Sequence, residues 1–88
     1  MKLGVVKGNV VATTKDEGLV GMKLLIVQPT TEASDPCGDV IVAVDTVGAG
    51  FGDRILYVTG SSARSMLTSK NIPVDASIVA IVDTVEVY

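Results

Sequence analysis

Five stretches of the chain are rich in β-branched and aliphatic residues, and turn-forming residues separate them. The first runs from about Leu3 to Thr14, with Gly4 and Gly8 as bend or bulge positions. Lys15-Asp16-Glu17-Gly18 reads as a turn, and the second strand follows from about Lys23 to Gln28. Pro29 to Gly38 is a long polar hairpin or loop holding Asp35-Pro36 and Gly38. The third strand, Asp39 to Asp45, is Val-Ile-Val-Ala-Val between two carboxylates. Gly48-Ala49-Gly50-Phe51-Gly52 is a glycine-rich loop, and the fourth strand spans about Arg54 to Thr59. After Gly60, Ser61 or Ser62 can cap a short helix to about Ser69, with Ala63, Met66 and Leu67 as its apolar stripe. Asn71-Ile72-Pro73 ends that helix, because Pro disfavours helical geometry in the residue before it. The fifth strand runs from about Ala76 to Val87. The pattern predicts an all-β chain: a small five-stranded OB-like β-barrel with one short helix.

The later strands lack the alternation of a sheet with one wet face. Val40, Val42 and Val44 share one side, Ile41 and Ala43 the other. Leu56 and Val58 oppose Ile55 and Tyr57; Ile78, Ala80 and Val82 oppose Val79 and Ile81. Both sides therefore call for burial, yet a small barrel has one interior. The remaining side meets another subunit, or the helix and the long loop cover it in a monomer. Covering several hundred Å² at ~25 cal/mol per Å² is worth on the order of 10 kcal/mol before association costs.

Composition favours the subunit contact. The chain has 88 residues, enough for a single domain spanning 1–88 and marginal alone. Cys37 is its only cysteine and it has no histidine, so neither a disulfide nor a zinc-finger-type site can stabilise it. Hydrophobic residues make up 48% and charged residues 19%, which leaves little charge to coat an isolated surface. A net charge of −3, with seven scattered basic residues, argues against phosphate-backbone binding. The amino terminus lacks a signal-like apolar core, and no apolar run is long enough to span a bilayer. The expected location is the cytoplasm, with no membrane partner.

Candidate chemistry is sparse. The Gly48–Gly52 loop has neither the spacing of a dinucleotide fingerprint nor the Lys-Ser/Thr pair of a P-loop. It reads as a tight turn whose glycines take positive φ or allow close backbone approach, including approach between symmetry-related copies. Gly60-Ser61-Ser62-Ala63-Arg64 has no base to activate a serine, and reads as a helix cap followed by a surface Arg. Asp39, Asp45, Asp53, Asp75 and Asp83 sit mostly at strand ends or turns. Asp45 ends an apolar strand, so it needs a partner such as a backbone N–H or an Arg. No catalytic, metal or cofactor-binding residue is assigned, and the chain is read as a non-enzyme. Single-stranded nucleic acid needs stacking aromatics over a basic groove, and only Phe51, Tyr57 and Tyr88 are present. A monomeric OB-like module binding single-stranded nucleic acid or a small ligand is the alternative reading, and an enzyme subunit with a carboxylate site is a third.

One resemblance spans nearly the whole chain. Gly8-Asn9-Val10-Val11-Ala12-Thr13, Lys23-Leu24-Leu25, Asp45-Thr46-Val47-Gly48-Ala49-Gly50-Phe51-Gly52, Leu56 through Gly60-Ser61-Ser62-Ala63-Arg64, Pro73-Val74-Asp75-Ala76 and Ile81-Val82-Asp83 resemble the bacterial microcompartment vertex family, also called EutN/CcmL. The resemblance implies an OB-like barrel assembled as a homopentamer. Such pentamers occupy the five-fold vertices of shells whose facets are tiled by hexameric shell proteins. It further implies that Gly48, Ala49, Gly50, Phe51 and Gly52 lie near the five-fold axis and line a narrow pore. Ser61, Ser62, Ala63 and Arg64 would orient the helix, with Arg64 pairing across an interface. The sequence stops at Val87-Tyr88, where some members continue, so contacts made by a longer tail are not carried over.

Overall fold

Val6, Leu25, Val27, Ile55 and Tyr57 are buried at positions that alternate with more exposed neighbours, and with Ala43 and Ile78 they fill the inside of a closed barrel. The computed structural model describes residues 1–13, 17–60 and 75–88. Within them lie β1 (Lys2–Val10), a 3-10 turn at Glu17–Leu19, β2 (Lys23–Pro29), β3 (Ile41–Asp45), β4 (Arg54–Thr59) and β5 (Ala76–Ile81). The helix expected from Ser61 or Ser62 to Ser69, and with it Ser61, Ser62, Ala63 and Arg64, lies outside the described residues.

The strands close in the order β1-β2-β3-β5-β4, the Greek-key path expected of an OB-like barrel. Every pair is antiparallel except β3 with β5, which meet in parallel only at Val44↔Ser77 and Asp45↔Ile78. Closure removes the exposed sheet edges that would otherwise invite strand addition.

Two bulges change which residues face in. In β1 the register against β2 jumps from Val6↔Val27 to Gly8↔Ile26, so Lys7 is the extra residue. In β5 the register against β4 jumps from Tyr57↔Ile78 to Leu56↔Ala80, so Val79 is extra. The expected grouping of Ile78 with Ala80 is therefore wrong. Ile78 points inward beside Tyr57, while Ala80 joins Leu56 on the outer wall.

Strand lengths differ from the sequence expectation where partners run out. β1 stops at Val10, short of Thr14, because its partner β2 begins one residue beyond the Val10↔Leu24 pair. β5 stops at Ile81 rather than Val87; the Val82 amide still donates to the Arg54 carbonyl at 2.8 Å, and β4 begins there. β3 starts at Ile41 rather than Asp39.

The outer wall is not uniformly bare. Register places Val58, Ser77 and Val44 in one row across β4, β5 and β3, yet Ser77 is 0% and Val44 2% exposed. That part of the wall is covered within the chain itself. Val40, just before β3, and Val42 on it stay 56% and 49% exposed, and Leu56 and Val58 are half-buried. The subunit itself covers one portion of the second apolar side and leaves the rest open.

Candidate functional site: a braced glycine loop

The segment from Asp45 to Asp53 closes one end of the barrel, and side chains at both of its ends hold it. Asp45 Oδ1 accepts from the amides of Val47 at 3.0 Å and Gly48 at 3.2 Å. Its other oxygen lies 3.5 Å from Lys23 Nζ, and the Asp45 side chain is only 2% exposed. The burial expected of Asp45 is thus met by backbone N–H groups and by a lysine rather than an arginine. Lys23 also donates to the Ala49 carbonyl at 2.6 Å, so one ammonium ties the strand end to the loop.

Asp53 performs the matching task at the far end. Its Oδ2 accepts from the Gly50 amide at 2.8 Å, and its own amide donates to the Gly50 carbonyl at 3.0 Å. These four residues form a β-turn with Gly52 at the third position, where φ is +86°. A type II turn requires that left-handed backbone, which only glycine adopts without strain. Gly48 is likewise at φ +81°, so two of the loop glycines take the positive φ expected of them. The Gly52 amide donates to Val6 and the Val6 amide to Asp53, which stitches the turn to β1. Thr46 Oγ1 donates to the Ile78 carbonyl at 2.7 Å and does the same toward β5.

The five loop residues divide by environment. Ala49 is 0% exposed and packs into the barrel core, so its methyl group plugs the end of the barrel and only its backbone faces the loop surface. Gly48 and Gly52 are exposed, Gly50 is half-buried, and Phe51 stands 81% exposed at the tip of the turn. Lys23 was missed from sequence as part of this arrangement. Its signal was the pairing Lys23↔Asp45, a basic residue opening β2 opposite an acidic one ending β3.

Replacing Asp45 by Ala removes a charged acceptor from two amides and from Lys23. The expected loss is about 2 to 3 kcal/mol, read as a lower urea midpoint. Asp45→Asn keeps an oxygen for both amides and forgoes the half-exposed ion pair, so its loss is about 1 kcal/mol or less. Equal midpoints for parent and Asp45→Ala would show that the bracing adds nothing to stability.

The opposite end of the barrel opens into a cleft of about 580 Å³ lined by Leu3, Pro29, Ile41, Leu56 and Tyr57 among others. Burial pushes the Tyr57 phenol above its ordinary value, and the neighbouring Cys37 adds to the rise. Of the dispersed carboxylates, Asp45 and Asp53 are engaged as described, while Asp39, Asp75 and Asp83 are exposed. The aromatics do not form a stacking platform: Phe51 is on the turn, Tyr57 is 3% exposed inside the barrel, and Tyr88 is at the terminus.

Comparison with known proteins follows the same lines. Residues 1–83 match the family described as Ethanolamine utilisation protein EutN/carboxysome. The chain is 50% identical over 86 residues to the bacterial microcompartment shell vertex protein GrpN of Rhodospirillum rubrum, covering 98% of this chain and 97% of that one. It is 42% identical over 87 residues to the carboxysome shell vertex protein CcmL of Gloeobacter violaceus, covering 99% and 87%. It is 45% identical over 85 residues to the shell vertex protein EutN of Escherichia coli, covering 97% and 90%. The solved GrpN pentameric microcompartment shell protein superposes over 100% of both chains with a TM-score of 0.91, and Gloeobacter CcmL with 0.92 over 99% and 90%.

Proposed function

The chain belongs to the EutN/CcmL family, and from that premise we propose that it caps the vertices of a bacterial microcompartment, five copies closing each corner of the polyhedral shell. The observation that carries this reading is the end-to-end likeness to the pentameric shell protein GrpN, which leaves no stretch of either chain unmatched. A sheet tiled only by hexamers stays flat; five-fold units supply the curvature that closes it. The partners of the ring are hexameric shell proteins of the facets, and its role is structural rather than catalytic.

Within the ring, the braced loop of Gly48, Ala49, Gly50, Phe51 and Gly52 sits at the five-fold axis. The fixed geometry of the turn supports this: a loop shared by five copies must present the same shape five times, and Asp45, Asp53 and Lys23 hold it to one. Gly50 is the point of closest approach, Phe51 sets the width of the opening, and Ala49 contributes its backbone alone. Ser61, Ser62, Ala63 and Arg64 belong to the contacts between copies, with Arg64 as the charged member.

Native mass spectrometry tests the assembly directly. A five-subunit species is expected at micromolar concentration, and a clean monomer there would overturn the reading.

A further inference from the structure

Because the barrel is closed, its strands offer a second copy the side chains of the outer wall rather than a free edge. The register identifies which rows of that wall are available. On β1, β4 and β5, Leu3↔Leu56 and Leu56↔Ala80 form one continuous outward row, bordered by Val5 opposite Arg54. Leu3, Val5, Leu56 and Ala80 are all half-buried, with apolar surface still open. On β1, β2 and β3, Gly8↔Ile26 and Ile26↔Val42 form a second row, and Val42 is 49% exposed. Between the two, on the β5–β3 side, lies the zone of Ser77 and Val44 that the chain already covers. Neither row contains a charged side chain.

A cyclic ring is heterologous: each copy offers one surface to the neighbour on its left and a different one to the neighbour on its right. A single apolar patch would serve a two-fold dimer, whereas two unlike patches on separate walls suit a ring. We propose that the Leu3–Leu56–Ala80 row of one copy docks on the Gly8–Ile26–Val42 row of the next, and that these two rows form the core of the subunit contact. This rests on the pentameric reading above. The bulge at Val79 is part of the device, since it returns a small residue, Ala80, to the outer wall beside Leu56. The glycine at position 8 does the same opposite, letting the neighbour approach the β1–β2 wall closely.

The test puts a charge of the same sign on each row, Leu56→Glu and Val42→Glu, with circular dichroism to confirm the barrel. Each variant alone is expected to lose the five-subunit species, since a charge buried against an apolar row has no partner. An equimolar mixture has one good contact per pair, because each partner keeps one intact row, and is expected to stop at a two-subunit species containing one copy of each. A milder readout covers any failure of these variants to fold. In a Cys37→Ser background, Leu56→Cys and Val42→Cys subunits are mixed and treated with a short thiol-to-thiol crosslinker. Crosslinked dimers are expected in the mixture and not from either variant alone. Rings that persist in both charge variants, or crosslinks within a single variant, would overturn the pairing of these rows while leaving the pentamer intact. A monomeric parent would instead remove the pentamer, and this inference with it.

Discussion

Gly4→Leu is expected to leave the chain unable to fold, and Gly4→Ala to cost about 1 to 3 kcal/mol. Gly4 faces the barrel interior, opposite Ile55 on β4 and Pro29 on β2. A Cβ atom there would lie 2.6 Å from Val27 Cγ1, 3.1 Å from the Gln28 carbonyl oxygen and 3.4 Å from Tyr57 Cε1. Val27 is 0% exposed and Tyr57 3%, so neither has open space into which to retreat. The Gln28 oxygen is backbone in a paired strand and cannot move alone. A leucine adds three further carbons to the same place, and a small domain holds at most about 5 to 15 kcal/mol in total. Gly8→Ala is the control: its nearest neighbour is Ile26 Cδ1 at 3.7 Å, an ordinary contact. Its effect on the isolated barrel should stay within about 0.5 kcal/mol, read at a concentration that dissociates the ring, because Gly8 also lies in the contact proposed between copies. Urea midpoints of the two alanine variants decide the matter, and equal shifts would show that position 4 is not the constriction described.

The second large effect is on assembly. Gly50→Arg should keep the barrel folded and abolish the ring. Gly50 has no positive φ, and a Cβ atom there meets only Asp53 Oδ2, at 3.9 Å. The subunit therefore tolerates a side chain at this position, which cannot be said of Gly48 or Gly52 with their left-handed backbones. Around a five-fold axis the same substitution brings five cations together. Two such charges 4 Å apart repel by about 4 kcal/mol at an effective dielectric of about 20, and a closed ring contains five adjacent pairs. Native mass spectrometry should then show only smaller species beside an unchanged circular dichroism spectrum. A variant that forms rings as readily as the parent would remove the loop from the axis.

How far these features could be read from sequence depended on whether the information was local. β4 was legible from Arg54 to Thr59 and β2 to within one residue, because their aliphatic runs are bounded by turn residues. β5 was overextended because Val85 and Val87 carry the same β-favouring pattern as Ile78; what ends the strand is the start of its partner at Arg54. The two bulges differ. Gly8 flags a bend or bulge in β1, and the extra residue Lys7 lies beside it. Nothing at Val79 marks the extra residue of β5, which inverts the parity on which inside and outside of that strand are assigned. In the loop, positive φ at Gly48 and Gly52 followed from residue type, and the need of Asp45 for partners followed from its place at the end of an apolar strand. Lys23 came to that site through a cross-strand pairing 22 residues away in sequence, from 23 to 45. Ala49 was grouped with its glycine neighbours by motif, yet its methyl group belongs to the core.

The plugged barrel has a consequence for traffic. With Ala49 at the stoppered end and Val6, Val27, Ile55 and Ile78 filling the middle at 0 to 1% exposure, the cleft at the other end is blind and leads nowhere through the barrel. No metabolite can thread a stave of this kind. At a corner built from it, whatever crosses must slip through the seams where neighbours meet or the gap they leave at their centre, so permeability there is a property that a solitary copy does not possess.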